Sequence, residues 1–117
     1  DAQANPGVLY LFGDNDIRKG YGGQAAAMRD EPNAVGVRTK YAPGTAPSDF
    51  FSDADFDGAV AMINDDLVRP TEHLRQGGIV VIPLDGLGSG LSELPQRAPR
   101  VNHYLMKRLA LLATVGA

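Results

Sequence analysis

The chain has 117 residues, a mass of 12.4 kDa and a formal net charge of −3, which suits one domain, 1–117, around one core. Hydrophobic residues at 44% and charged residues at 21% set it apart from disordered chains. A sequence pI near 5.2 argues against a duplex nucleic-acid binder that relies on counterion release, and the lack of cysteine excludes disulfides and thiolate metal sites. No apolar run approaches the roughly 20 residues of a membrane span. No basic segment precedes an apolar one as in a secretory signal. A cytoplasmic protein with no membrane partner is the expectation.

In chain order, Val8 to Phe12 is an apolar run with the length of a buried strand. A polar turn follows, then the glycines Gly20, Gly22 and Gly23, then a helix-forming Gln24 to Arg29 that Pro32-Asn33 closes. Ala34 to Val37 reads as a weaker strand leading into Arg38-Thr39-Lys40. Prolines and small polar residues make Tyr41 to Phe51 a loop. Ser52 or Asp53 is the expected N-cap of a helix whose Phe56, Val60, Ile63, Leu67 and Leu74 recur at helical spacing. Pro70 predicts a kink or two consecutive helices. Ile79 to Pro83 is the clearest strand, and a second glycine cluster, Gly86-Leu87-Gly88-Ser89-Gly90, follows it. Pro99 to Ala113 carries Val101, Leu105, Leu109 and Leu112 on one stripe and reads as the closing helix.

Strands alternating with helices imply an α/β fold with a mostly parallel central sheet and helices outside it. Ligands of such sheets bind beyond the carboxyl ends of the strands. Both glycine clusters and the Arg38–Lys40 segment leave such ends. Backbone amides at a glycine-rich turn or a helix N-terminus attract anionic oxygens. Two such turns are therefore candidates to close around one phosphate-bearing ligand. Neither is a Walker A or a Rossmann fingerprint, because no Gly-Lys-Ser/Thr follows and the glycine spacing differs. The basic residues Arg18, Lys19, Arg29, Arg38 and Lys40 read equally as an anion-attracting patch or as scattered solvated side chains.

Gly13-Asp14-Asn15 with Gly20-Tyr21-Gly22-Gly23-Gln24-Ala25-Ala26 resembles the macro-domain signature. Ile82-Pro83 with Gly86 to Leu91 is similar to that family's second, phosphate-embracing loop. The likeness is closest to small phage- and bacteria-type macro-like proteins and implies a three-layer α/β/α macro-like domain. Macro domains bind ADP-ribose or its derivatives, and some hydrolyse ADP-ribosyl bonds. By resemblance, Gly13, Gly20, Tyr21, Gly22, Gly23 and Gln24 line one side of the ligand. Gly88, Ser89, Gly90 and Leu91 hold the diphosphate from the other, with Asn15 at the distal ribose and Thr39 nearby. Asn15 equally suits a turn cap. Asp14 stands as a turn former or a general base.

Lys40 falls where macro domains resembling the terminal ADP-ribose glycohydrolases carry a lysine that attacks the ribose anomeric carbon. Their paired aspartate corresponds here to Ser92, with Glu93 next. A hydroxyl does not replace a carboxylate as acid or base at neutral pH. The expected function is binding of ADP-ribose or a related NAD-derived nucleotide, with hydrolysis of ADP-ribosyl linkages on a protein or nucleic acid as its enzymatic extension. The alternatives are non-catalytic sequestration of a signalling nucleotide, as in phage anti-defence, and a structural or interaction domain. No cofactor is expected. The EF-hand-like Asp53-x-Asp55-x-Asp57-Gly58 reads as helix-start acidity, since Asn64 stands where the loop's glutamate belongs. His73 and His103 read as surface or packing residues.

Overall fold

A computed structural model describes residues 7–20, 28–83, 87 and 92–115. Its strands are β1 (Val8–Asn15), β2 (Ala34–Lys40) and β3 (Ile79–Val81). Its helices are α1 (Phe56–Asp66), α2 (Val68–Arg75), α3 (Leu94–Arg97) and α4 (Pro99–Leu112). Short 3-10 turns at Pro47–Asp49 and Asp53–Asp55 bend the chain before α1.

The sheet order is β2-β1-β3, and both pairings are parallel, with Leu11 opposite Val35 and Leu9 opposite Val80. Successive side chains of a strand face opposite sides, so Leu9 and Leu11 share one face. With Val35 and Val37 they form a core against Ala59, Ile63 and Leu67 and against Val101, Leu105 and Leu109. The stripe expected in α4 therefore does face the core, as do Ile63 and Leu67 of the other stripe, with Phe56 and Leu74 packed against it and Val60 outside it. The result is an α/β domain whose parallel sheet is flanked by helices.

Three strand boundaries differ from the sequence reading, one of them that of β2, which continues past Val37 to Lys40. β1 runs on through Gly13-Asp14-Asn15, because β2 supplies pairing partners to those polar residues. β3 stops at Val81 instead of Pro83. Between the helices the break falls at Leu67, three residues before Pro70. Pro70 then occupies the first turn of α2, where a missing N–H costs no helical hydrogen bond. The two-helix alternative is the one the chain adopts.

Candidate functional site at the carboxyl edge of the sheet

β1 delivers Asp14 and Asn15, and β2 delivers Thr39 and Lys40, to one edge of the sheet. All four are buried. The register changes between Asp14 and Asn15, so that Asn15 pairs with Lys40.

The Asp14 carboxylate is a hub. It accepts from Arg29 Nη2 and Nη1, from Arg18 Nη1 at 3.2 Å and from the Asn15 amide at 2.8 Å. Arg29 reaches further, donating through Nε to the Gly20 carbonyl at 2.6 Å and through Nη2 to the Lys19 carbonyl. One guanidinium fork thus joins the end of β1 to the turn beyond it. These contacts describe a carboxylate that organises the loop. The Asn15 side chain donates to the Lys19 carbonyl at 2.7 Å and accepts from the Lys19 amide at 3.4 Å, the turn-capping geometry. Each end of its amide keeps further hydrogen-bonding capacity. Within the turn, Arg18 adopts φ 57° and Gly20 φ 94°, left-handed values that glycine takes without strain.

Room for the hub comes from Gly36 on β2. A Cβ at that position would lie 2.9 Å from Asp14 Cβ and 3.0 Å from Arg18 Nη1, closer than side chains pack. Nothing in the sequence singled out this glycine, because its need arises from a neighbouring strand.

Thr39 Oγ1 and Ser92 Oγ are 2.5 Å apart, both buried, and Thr39 Oγ1 also donates to the Asp14 carbonyl. Lys40 Nζ donates to the Gly44 carbonyl at 2.8 Å and lies 4.2 Å from the centre of the Phe50 ring. Burial pulls its pKa below the ordinary 10.5, Arg97 acts in the same direction, and Asp49 and Glu93 oppose both. A lowered pKa enlarges the share of neutral amine, the nucleophilic form.

Tyr21, Gly22, Gly23, Gln24, Gly88, Ser89, Gly90 and Leu91 lie outside the described residues. What flanks them is described. Gly20 lies against Pro43 of the loop after β2, and Leu87 is 2% exposed in the core beside Leu9 and Leu11. Leu87 is therefore an anchor in the core between β3 and Ser92. Ser92, which follows the second glycine cluster in the chain, lies against β2, whereas β3, which precedes it, lies on the other side of β1.

A family model described as a family of unknown function, DUF7831, matches residues 1–108. The chain belongs to DUF7831. No curated protein and no solved structure matches the chain.

The basic residues of this DUF7831 chain are mostly spoken for. Arg18 pairs with Asp14 and Asp66, Arg29 with Asp14, and Arg38 with Asp66 and Asp16. Those three arginines form a structural network, and an open cationic patch is not their arrangement. Arg18 and Arg29 border a polar cleft of about 430 Å³ that Asp14, Asp66 and Arg69 also line. Asp53 caps a helix other than the one expected. Its carboxylate accepts from the amides of Arg100 and Val101, at the start of α4. Among the described residues no cluster of histidines and carboxylates is arranged to hold a metal. His73 Nε2 contacts the Gly7 carbonyl, and His103 borders a second groove, on α4.

Arg97 is the residue of this edge that sequence reasoning missed. Arg97 Cζ is 3.8 Å from the centre of the same ring that Lys40 overlies. Arg97 lies 57 positions from Lys40 in the chain, so no local motif links them.

Proposed function

We propose that this domain binds ADP-ribose or a related NAD-derived nucleotide at the carboxyl edge of its sheet, in a macro-like three-layer arrangement. One observation carries the reading. The strand order reverses at β1, and Asn15, Thr39 and Lys40 gather at the carboxyl ends there. Open parallel sheets take ligands at such reversal points, because loops leaving neighbouring strands diverge and open a crevice. Both glycine clusters leave the same edge, one after β1 and one after β3. In this reading Gly20 to Gln24 and Gly88 to Leu91 supply amides to the diphosphate, and Asn15 uses its spare capacity on a ribose hydroxyl.

Hydrolysis of an ADP-ribosyl linkage, on a protein or a nucleic acid, is the enzymatic extension, with Lys40 as the attacking amine. Its depressed pKa supports that role. Ser92, its hydroxyl held against Thr39, is the residue that the macro-domain resemblance pairs with a hydrolase aspartate, and it favours the second reading, sequestration of a nucleotide without turnover. Glu93 pairs with Arg97 at 3.1 Å and is not held at the Ser92 position.

Titration calorimetry with ADP-ribose tests the binding reading, and no heat at millimolar ligand removes it. Denaturing a saturated sample separates the two outcomes: intact nucleotide marks sequestration, and cleaved product marks turnover. Where turnover occurs, Lys40→Ala abolishes it while leaving binding measurable.

A further inference from the structure

A buried lysine is ordinarily matched by a carboxylate. Lys40 is 7% exposed, yet it makes no ion pair among the described residues. Its one hydrogen bond, to the Gly44 carbonyl, leaves two of its three ammonium donors. Arg97 stands over the same Phe50 ring and engages Glu93 through Nε. Its two Nη groups donate to no described residue. Phe50, itself 5% exposed, attracts each cation through its π system, with Lys40 Nζ 4.2 Å and Arg97 Cζ 3.8 Å from the ring centre. Like charges near one ring repel, Asp49 and Glu93 offset part of that repulsion, and burial adds to the cost for Lys40. Unused donors of two cations thus meet where ligands of parallel sheets bind.

We propose that Lys40 and Arg97, positioned by Phe50, form a seat for a phosphoryl group at the carboxyl end of β2. A guanidinium fork and an ammonium point charge together suit tetrahedral oxyanions, which accept several hydrogen bonds at once. Glu93 orients the Arg97 fork by holding its Nε. The inference rests on the nucleotide reading for its biological meaning and deepens it, assigning side-chain cations to a ligand phosphate in addition to the loop amides. The chemistry of the seat is testable without any nucleotide.

Inorganic pyrophosphate is titrated calorimetrically into the full chain, into Arg97→Gln and into Arg75→Gln, whose exposed arginine is remote in sequence from the edge and pairs with Glu72. Saturable binding that weakens about tenfold or more in Arg97→Gln and is unchanged in Arg75→Gln is expected. Arg97→Lys, which keeps the charge without the fork, is expected to lose less. Pyrophosphate is also expected to raise the Lys40 pKa, followed by NMR in the unmodified chain, so a fold defect in a variant leaves one arm intact. Absence of saturable pyrophosphate binding, equal weakening by the Arg75 control or an unmoved Lys40 titration overturns the seat. ADP-ribose binding indifferent to Arg97→Gln also overturns it while leaving the nucleotide reading standing. Pyrophosphate bound through Arg97 without affinity for ADP-ribose supports the seat and removes the nucleotide reading.

Discussion

Arg18 and Asp66 together complete the hydrogen bonds of β2 on the side that faces away from β1. Arg18 Nη1 donates to the Gly36 carbonyl at 2.7 Å, Asp66 Oδ2 accepts from the Arg38 amide at 2.8 Å, and the two side chains join at 2.7 Å. In a strand, the carbonyl of one residue and the amide two positions on face the same neighbour. The ion pair therefore offers one donor and one acceptor where a further strand would. An unpaired strand edge templates association with other chains, and here charge closes it.

Asp66→Ala removes the acceptor for the Arg38 amide and the partner of two guanidinium groups. A loss of about 2–3 kcal/mol is expected, below the fully buried case because Arg18 is partly solvated. Urea denaturation measures it. Arg18→Ala added to Asp66→Ala is expected to cost less than the sum of the two single changes, as residues of one network do.

Gly36→Ala and Gly58→Ala are expected to act in opposite directions. At Gly36 the new methyl meets the Asp14 side chain, so the hub must shift, at a cost of about 1–3 kcal/mol. At Gly58, exposed within α1, nothing lies within 4 Å of the new methyl. There the lower entropy of the unfolded chain and better helix propensity stabilise by about 0.4–1 kcal/mol. Thermal melts of both variants check the pair.

Thr39→Val leaves the buried Ser92 hydroxyl without this partner, and Ser92→Ala leaves Thr39 only its longer bond to the Asp14 carbonyl. Each single change is expected to cost about 1–3 kcal/mol. The double variant removes both polar groups and is expected to fall well short of the sum. An additive double-mutant cycle would show that the two hydroxyls do not interact.

Tyr41 and Lys40 are expected to act oppositely on alkaline stability. Burial first, and then the Asp55 carboxylate, push the Tyr41 phenol from 10.0 up to about 12. The folded state therefore holds that proton after the unfolded state has lost it, and stability falls from about pH 10 to about pH 12. Lys40 has a lowered folded pKa, so the unfolded state holds more protons and stability rises toward pH 10.5. Tyr41→Phe is expected to flatten the loss above pH 10, read by denaturant midpoints across pH. Ultraviolet titration is expected to show the Tyr41 phenol ionising late, a step that Tyr41→Phe removes.

The presence of the strands, the division of the α1–α2 segment into two helices and most of the buried stripes of α1 and α4 were legible because each depends on local spacing. Val101, Leu105, Leu109 and Leu112 must face one way on any helix that contains them. The Gly13-Asp14-Asn15 segment was read as a turn after the strand, because its polarity conceals its pairing. That pairing requires β2, which supplies Val37, Arg38 and Lys40 opposite those residues. Asp53 shows the same limit: acidity at a helix start was visible, and the helix it serves was not.

Period, turn chemistry and charge along the chain determined by themselves that this is an α/β domain with its candidate residues at strand ends, since those properties act between near neighbours. Only the folded arrangement decided that Asp14 binds arginines, that Gly36 must lack a side chain, and that Phe50 brings Lys40 to Arg97. Such contacts join positions far apart in the chain, and their energies arise from burial and distance, which exist only once the sheet has assembled.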